Sequence, residues 1–226
     1  MASAPSSSLH PYGSHPGDWT SCSVSLLRLW ELQTQGYLPS SDLAAVRAGL
    51  SSFNGEALAE NFPHPQKGER VCFVPFLLRG LRFPIHPFLR GLLVFYGIQL
   101  HHLTPGSILH ISGFVALCEM FLGCEAHFEL WRKYFCLVPR TRDKTIFEVG
   151  GAEVCRIAGT GYPMGTPKEY EEWPSEWFYI EDVPLFDPAR RGLPEYSDDP
   201  PKKGTTGGQR VHPKRTMLKF NAWPPT

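Results

Sequence analysis

Few residues in this chain have the type and spacing to do chemistry. Tyr196-Ser197-Asp198-Asp199 has the form Y-x-D-D. In that motif two carboxylates on a rigid β-turn hold a pair of metal ions. Here the flanks are Pro194, Glu195, Pro200 and Pro201, not apolar strands, so the match is read as chance. Cys118, Cys124, His127 and Cys136 follow the spacing C-x5-C-x2-H-x8-C, which lacks the tight opening pair of a zinc site. Cys118 falls on an apolar helical stripe, so packed core thiols are expected. Gly159-x-Gly161-x3-Gly165 is interrupted by Pro163 and reads as a loop, not a phosphate cradle. His101 and His102 are adjacent, cannot both point into one site, and read as a solvated turn. The Asp residues lie at 18, 42, 143, 182, 187, 198 and 199, mostly in expected loops, where an acidic catalytic triad is hard to assemble. No catalytic, cofactor-binding or metal-binding residue is assigned. The chain is read as non-enzymatic, without a cofactor.

The other candidate site is electrostatic. Lys202, Lys203, Arg210, Lys214, Arg215 and Lys219 lie in residues 200–226, which hold no acid. The tail is therefore +6, and the remaining 16 Lys and Arg stand against 22 Asp and Glu. A Gly/Pro-rich chain can follow RNA or DNA phosphates with such cations without folding; weak, sequence-independent contact is preferred over import, with a solvated tail that has no partner as the alternative. Lys202-Lys203 and Lys214-Arg215 also have the spacing of a bipartite import signal, although the second cluster is thin.

Composition bounds the class. The 226 residues are 42% hydrophobic, enough for a core, and carry only 19% charged residues. The 21 Gly and 22 Pro imply long irregular segments. Equal numbers of acids and bases exclude a uniformly basic DNA-binding chain. Residues 1–22 carry no apolar run and no Lys or Arg, so neither a secretory signal nor a transit peptide is read there. The expected location is cytoplasmic or nuclear, not secreted, with reduced thiols. Residues 105–124 are apolar except for Glu119, but a carboxylate, His110, Gly113 and several hydroxyls inside the run favour a buried core helix over a membrane span.

The elements follow from periodicity and punctuation. A helix is expected from Ser23 to Gln35, with Leu26, Leu29, Trp30 and Leu32 on its apolar face and Gly36 as its stop. A second is expected over Leu43–Ala48, then a loop over 50–70 and a short strand or extended lead-in at Val71–Val74. Pro87 starts a helix that Gly97 closes. Thr104 and Pro105 start the central helix, which runs to Leu122 and stops at Gly123, with Leu117 and Phe121 expected in the core. A further helix spans 126–136, and short β-prone runs follow at 145–149, 153–157 and 177–180. The expected fold is mainly α: a small helical bundle core at 23–137, a short extended appendix at 138–183, and disordered termini at 1–22 and 184–226. The hairpin around Gly123–Ala126 could form a helix-turn-helix, but Glu125 and Glu129 would face phosphates, so a core hairpin is preferred.

The middle of the chain is similar to a known family. The run from Phe95 to Leu109, Phe114 to His127 and Phe128-x2-Trp131-x3-Phe135 resemble the plant domain called the putative gypsy-type transposon domain. Phe73-x5-Arg79-Gly80, Pro84-x3-Phe88 and Glu176–Ile180 fit it as well, and the resemblance covers about 24–183. Leu78 stands where the family usually has an acid, and Gly113 falls in mid-helix. The resemblance implies a retrotransposon-derived, gag-like structural or assembly protein that self-associates, and it carries no catalytic residues over. The alternatives are a host nucleic-acid-binding module, which needs a basic face on the folded part, and an active transposase, for which no constellation is found.

Overall fold

The computed structural model of the chain describes residues 19–53, 56–142, 144–162, 172–182 and 193. In chain order its elements are α1 (Leu26–Thr34), β1 (Val46–Ala48), β2 (Leu50–Phe53), β3 (Glu56–Ala59), β4 (Glu69–Phe73), α2 (Val74–Leu78) and α3 (Pro87–Tyr96). A 3₁₀ turn at Leu100–His102 leads into α4 (Pro105–Ala116), which continues as a π turn over Leu117–Leu122. Then come α5 (Phe128–Tyr134), β5 (Phe135–Pro139), β6 (Thr141–Arg142), β7 (Thr145–Ile146), β8 (Ala152–Arg156) and β9 (Trp177–Glu181).

This is a mixed α and β fold, which corrects the expectation of a mainly α bundle with a β appendix. Among the described residues nine strands pair in four sheets. The largest sheet has the order β1-β9-β4, all antiparallel, so the last strand in the chain is its centre. Trp177, Phe178, Tyr179 and Ile180 are buried, which makes β9 part of the core. A central strand covered on both faces reads as a continuous apolar run, and that is what W-F-Y-I shows. The helix expected over Leu43–Ala48 is instead a short lead-in to β1, whose Val46, Arg47 and Ala48 pair with Ile180, Tyr179 and Phe178. Pairing with a distant strand overrides the helix propensity of an Ala-containing run. The 50–70 loop contains the β2–β3 hairpin and the start of β4.

Local signals place the two long helices. Pro87 begins α3 and Gly97 ends it at φ 62, in the left-handed region. At α4 the Thr104 hydroxyl accepts the Ser107 N–H at 3.0 Å, an N-cap bond that satisfies one of the helix's orphan donors. Pro105–Leu122 has 18 residues and a mean hydropathy of 1.4, long and apolar enough to cross a membrane. In this fold its first turns are enclosed: Ile108, Ile111 and Phe114 are buried. Phe114 packs edge-on to Trp131 at 5.2 Å and near Phe88 at 5.3 Å, and Trp131 stacks on Phe135 at 4.2 Å.

A bulge of residues 148–150 joins the β6–β7 pair to the β5–β8 pair. The Arg140 N–H donates to the Gly151 carbonyl at 3.0 Å, while the Phe147 N–H donates to the Arg140 carbonyl at 3.1 Å. Residues 148–150 therefore loop out between two strand pairs. A Cβ at Gly151 would lie 1.8 Å from the Phe147 carbonyl oxygen, so only glycine fits there. The bulge sends the Glu148 side chain inward, where it accepts the Trp19 indole N–H at 2.6 Å. The Gly150 N–H donates to the His101 carbonyl at 2.9 Å. His101 and His102, expected in a solvated turn, are thus buried beneath this loop. Trp19 and Cys22, assigned by sequence to the N-terminal segment, are buried as well, with Trp19 stacked 6.1 Å from Phe73.

Candidate interaction surface

The central helix changes geometry at its C-terminal end. After Ala116 it widens into the π turn, which closes at Gly123 with φ 63. An inserted residue rotates the final turn relative to a regular helix. Side chains that continue the buried stripe at 3.6 spacing are turned outward. Cys118 stays buried and Leu117 is half-buried, but Met120 and Phe121 are each 78% exposed and Leu122 is 60% exposed. The placement of Phe121 in the core is therefore corrected. The acids Glu119, Glu125 and Glu129 are exposed along the same stretch. Glu119 pairs with His86 Nε2 at 3.1 Å, while His86 Nδ1 accepts the Phe88 N–H at 3.1 Å as the cap of α3. That second bond leaves Nε2 as the imidazole donor toward the carboxylate.

A second apolar surface lies on α1. Ser25 caps the helix through the Arg28 N–H at 3.1 Å, and Leu29 and Leu32 anchor one face in the core. Leu26, Leu27 and Trp30 point away and are 65%, 64% and 61% exposed. They sit at i, i+1 and i+4, so they share a face. This corrects the expectation that Leu26 and Trp30 belong to the buried stripe. The signal was present in the sequence: L-L-x-L-W-x-L is apolar around too much of the helix for one core face, and some of it had to face out. Met120-Phe121-Leu122 before a helix-ending Gly123 carries the same signal.

Half-buried and buried polar groups pair with one another in the sheet and the bulge. Arg47 makes a bidentate pair with Glu69, both bonds at 2.7 Å, and its guanidinium stacks 3.7 Å over the Tyr179 ring. The Tyr179 hydroxyl bonds Glu60 and accepts the His64 N–H at 2.6 Å, and burial pushes its pKa up. Burial, with His102 beside it, holds the His101 pKa well below its usual value. Both groups sit inside the sheet and bulge, where they fix the fold.

The residues singled out by sequence do not converge. Cys118 lies in the π turn and Cys124 follows its closing glycine, His127 Nδ1 accepts the Leu130 N–H at 3.4 Å to cap α5, and Cys136 lies on β5 opposite Cys155. Among the described residues no group of three or more His, Cys, Asp or Glu is placed to hold a metal ion. Lys202, Lys203, Arg210, Lys214, Arg215 and Lys219 lie outside the described residues, as do Asp143, Gly165, Asp187 and Tyr196–Asp199. The described part carries 13 Lys and Arg against 14 Asp and Glu, so it has no net basic charge.

Residues 71–139 match the family described as "Putative gypsy type transposon", and the chain carries a gypsy-type transposon domain there. The matched span runs from β4 to β5 and so contains α2–α5 and the π turn, but not the central strand β9. Comparison with curated proteins and with solved structures gives no match. The match covers less than a third of the chain, the helical middle of a mixed fold.

Proposed function

We propose that this chain is a gag-like, non-enzymatic assembly protein of a gypsy-type retroelement. The observation that carries this reading is the outward face of α1. Leu26, Leu27 and Trp30 are exposed on a helix that is otherwise anchored in the core. At the exposures given, three large side chains of roughly 150–250 Å² each present on the order of 400 Å² of apolar area. A second copy is the natural occupant, because one helix face packed on its own symmetry mate makes a self-complementary contact. Such a contact would bury about 800 Å² in total, below the roughly 1,000 Å² of a stable dimer. Weak, repeatable association of this kind suits a structural protein present in many copies. The cations Lys202, Lys203, Arg210, Lys214, Arg215 and Lys219 supply weak RNA contact in the same scheme.

The experiment is sedimentation velocity of the full chain over a concentration series, beside Trp30→Glu. The mass should rise with concentration in the parent chain and stay monomeric in the variant. A parent chain that is monomeric throughout would overturn the reading. Removal of residues 200–226 should abolish low-salt RNA retention and leave self-association unchanged. RNA binding that survives this deletion, or that ignores salt, would place the contact on the folded part instead.

A further inference from the structure

We infer that Cys118 and Cys124 are a redox pair that closes a disulfide across the π turn. The geometry comes from the turn itself. In a regular helix ended by a left-handed glycine, the residue after the glycine donates its N–H to the carbonyl five positions back. Here the Cys124 N–H reaches six positions back and bonds the Cys118 carbonyl at 3.0 Å. The extra residue of the π turn is what brings position 118 opposite position 124. A backbone bond of that length sets the two Cα atoms within the 4.4–6.8 Å that a disulfide spans. Burial pushes the Cys118 thiol up to about 11, and Cys124 is the next cause of that shift.

The two thiols have different roles. Cys124 is exposed and Cys118 is buried, so an oxidant in solution meets Cys124 first. With glutathione disulfide as oxidant, the Cys124 thiolate attacks one glutathione sulfur and the other glutathione leaves as its thiolate. The Cys118 sulfur then attacks Cys124 Sγ and releases the second glutathione. Both protein thiols are oxidised, one disulfide is reduced to two glutathione thiols, and the two thiol protons pass to them. The closed bond spans Met120, Phe121 and Leu122, so it fixes the outward projection of that apolar tip.

Cys136 and Cys155 are the competing pair and are worse placed. They face each other across β5 and β8. The Tyr134–Ile157 and Arg140–Gly151 pairs are hydrogen-bonded in the same ladder. By alternation Cys136–Cys155 is a hydrogen-bonded pair too, with Cβ atoms about 5.5 Å apart. A disulfide needs roughly 3.5–4.5 Å.

The test is glutathione-disulfide titration of the full reduced chain, followed by thiol alkylation and tryptic mapping. The peptide Gly91–Arg132 contains Cys118 and Cys124 and no other cysteine. It should lose two hydrogens and resist alkylation, in roughly tenfold excess over the Cys124 mixed disulfide, because the second thiol is held at a high effective concentration. Chymotryptic cleavage after Phe121 should slow in the closed form. Cys118→Ala should stop at the mixed disulfide on Cys124, and Cys124→Ser should leave Cys118 unmodified. Accumulation of the mixed disulfide in the parent chain, a Cys124–Cys124 cross-link between copies, or a Cys136–Cys155 bond formed first would each overturn the inference.

Discussion

The two ends of the central helix are built on opposite terms. At the N-terminal end Thr104 and Ser107 are buried, and Ser107 Oγ both accepts the Val154 N–H at 2.8 Å and bonds Thr104. That end is locked to β8 by polar groups that have no water to fall back on. At the C-terminal end one inserted residue rotates three apolar side chains into solvent. The same run of apolar sequence therefore does two jobs. Its first turns hold the fold, and its last turn is left to be touched. α1 repeats the division across its width, with Leu29 and Leu32 inside and Leu26, Leu27 and Trp30 outside.

The comparison is broken most directly by truncating each end. Phe114→Ala should cost about 3–5 kcal/mol in a denaturant or thermal melt, because it opens a cavity among Phe88, Trp131 and Phe135. A loss below about 1 kcal/mol would mean the enclosed end is not enclosed. Glu148→Ala should cost about 1–3 kcal/mol by the same measurement, since it strands the Trp19 indole N–H in the core. Trp19→Phe in the Glu148→Ala background should then add less than it does alone, as a double-mutant cycle would read.

Acid should act on the enclosed half. The folded-state pKa of His101 lies well below 6.5, by burial and by His102, and that of His110 is lowered by burial and by Arg156. The unfolded chain therefore binds protons near pH 6.5 that the folded chain refuses. Stability is full above pH 6.5 and falls as the pH drops below it, by up to about 1.4 kcal/mol per pH unit for each histidine. His101→Gln should flatten that slope between about pH 6.5 and 5, and an unchanged slope would remove His101 as its source. The smallest effect belongs to the exposed tip: Phe121→Ala should change stability by less than about 0.5 kcal/mol. A core-sized loss would contradict its outward placement.

Sequence reading went furthest where punctuation is local. Pro87, Gly97, Thr104, Pro105 and Gly123 mark the ends of α3 and of the central helix with its π turn, and all act within one turn of where they sit. It failed where the deciding partner is distant. Residues 46–48 form a strand only because β9 lies beside them, and His101 and His102 are buried only because residues 148–150 loop over them. Phe121 faces out for another reason: a constant period of 3.6 has no provision for an inserted residue. For the candidate surfaces, the excess of apolar residues around α1 and before Gly123 was legible. Which of them faced out was not, since that depends on packing that periodicity does not encode. The cationic tail was legible as charge, and it lies outside the described residues.

The central claim is that the outward face of α1 is where one copy meets another. Hydrogen–deuterium exchange of the full chain at low and high concentration tests it directly, because association should slow exchange in the element it covers. The account predicts added protection confined to Leu26–Thr34 as concentration rises, with Pro105–Ala116 unchanged and the effect absent in Trp30→Glu. Exchange in α1 that is indifferent to concentration, in samples whose mass does increase, would contradict it and place the contact elsewhere.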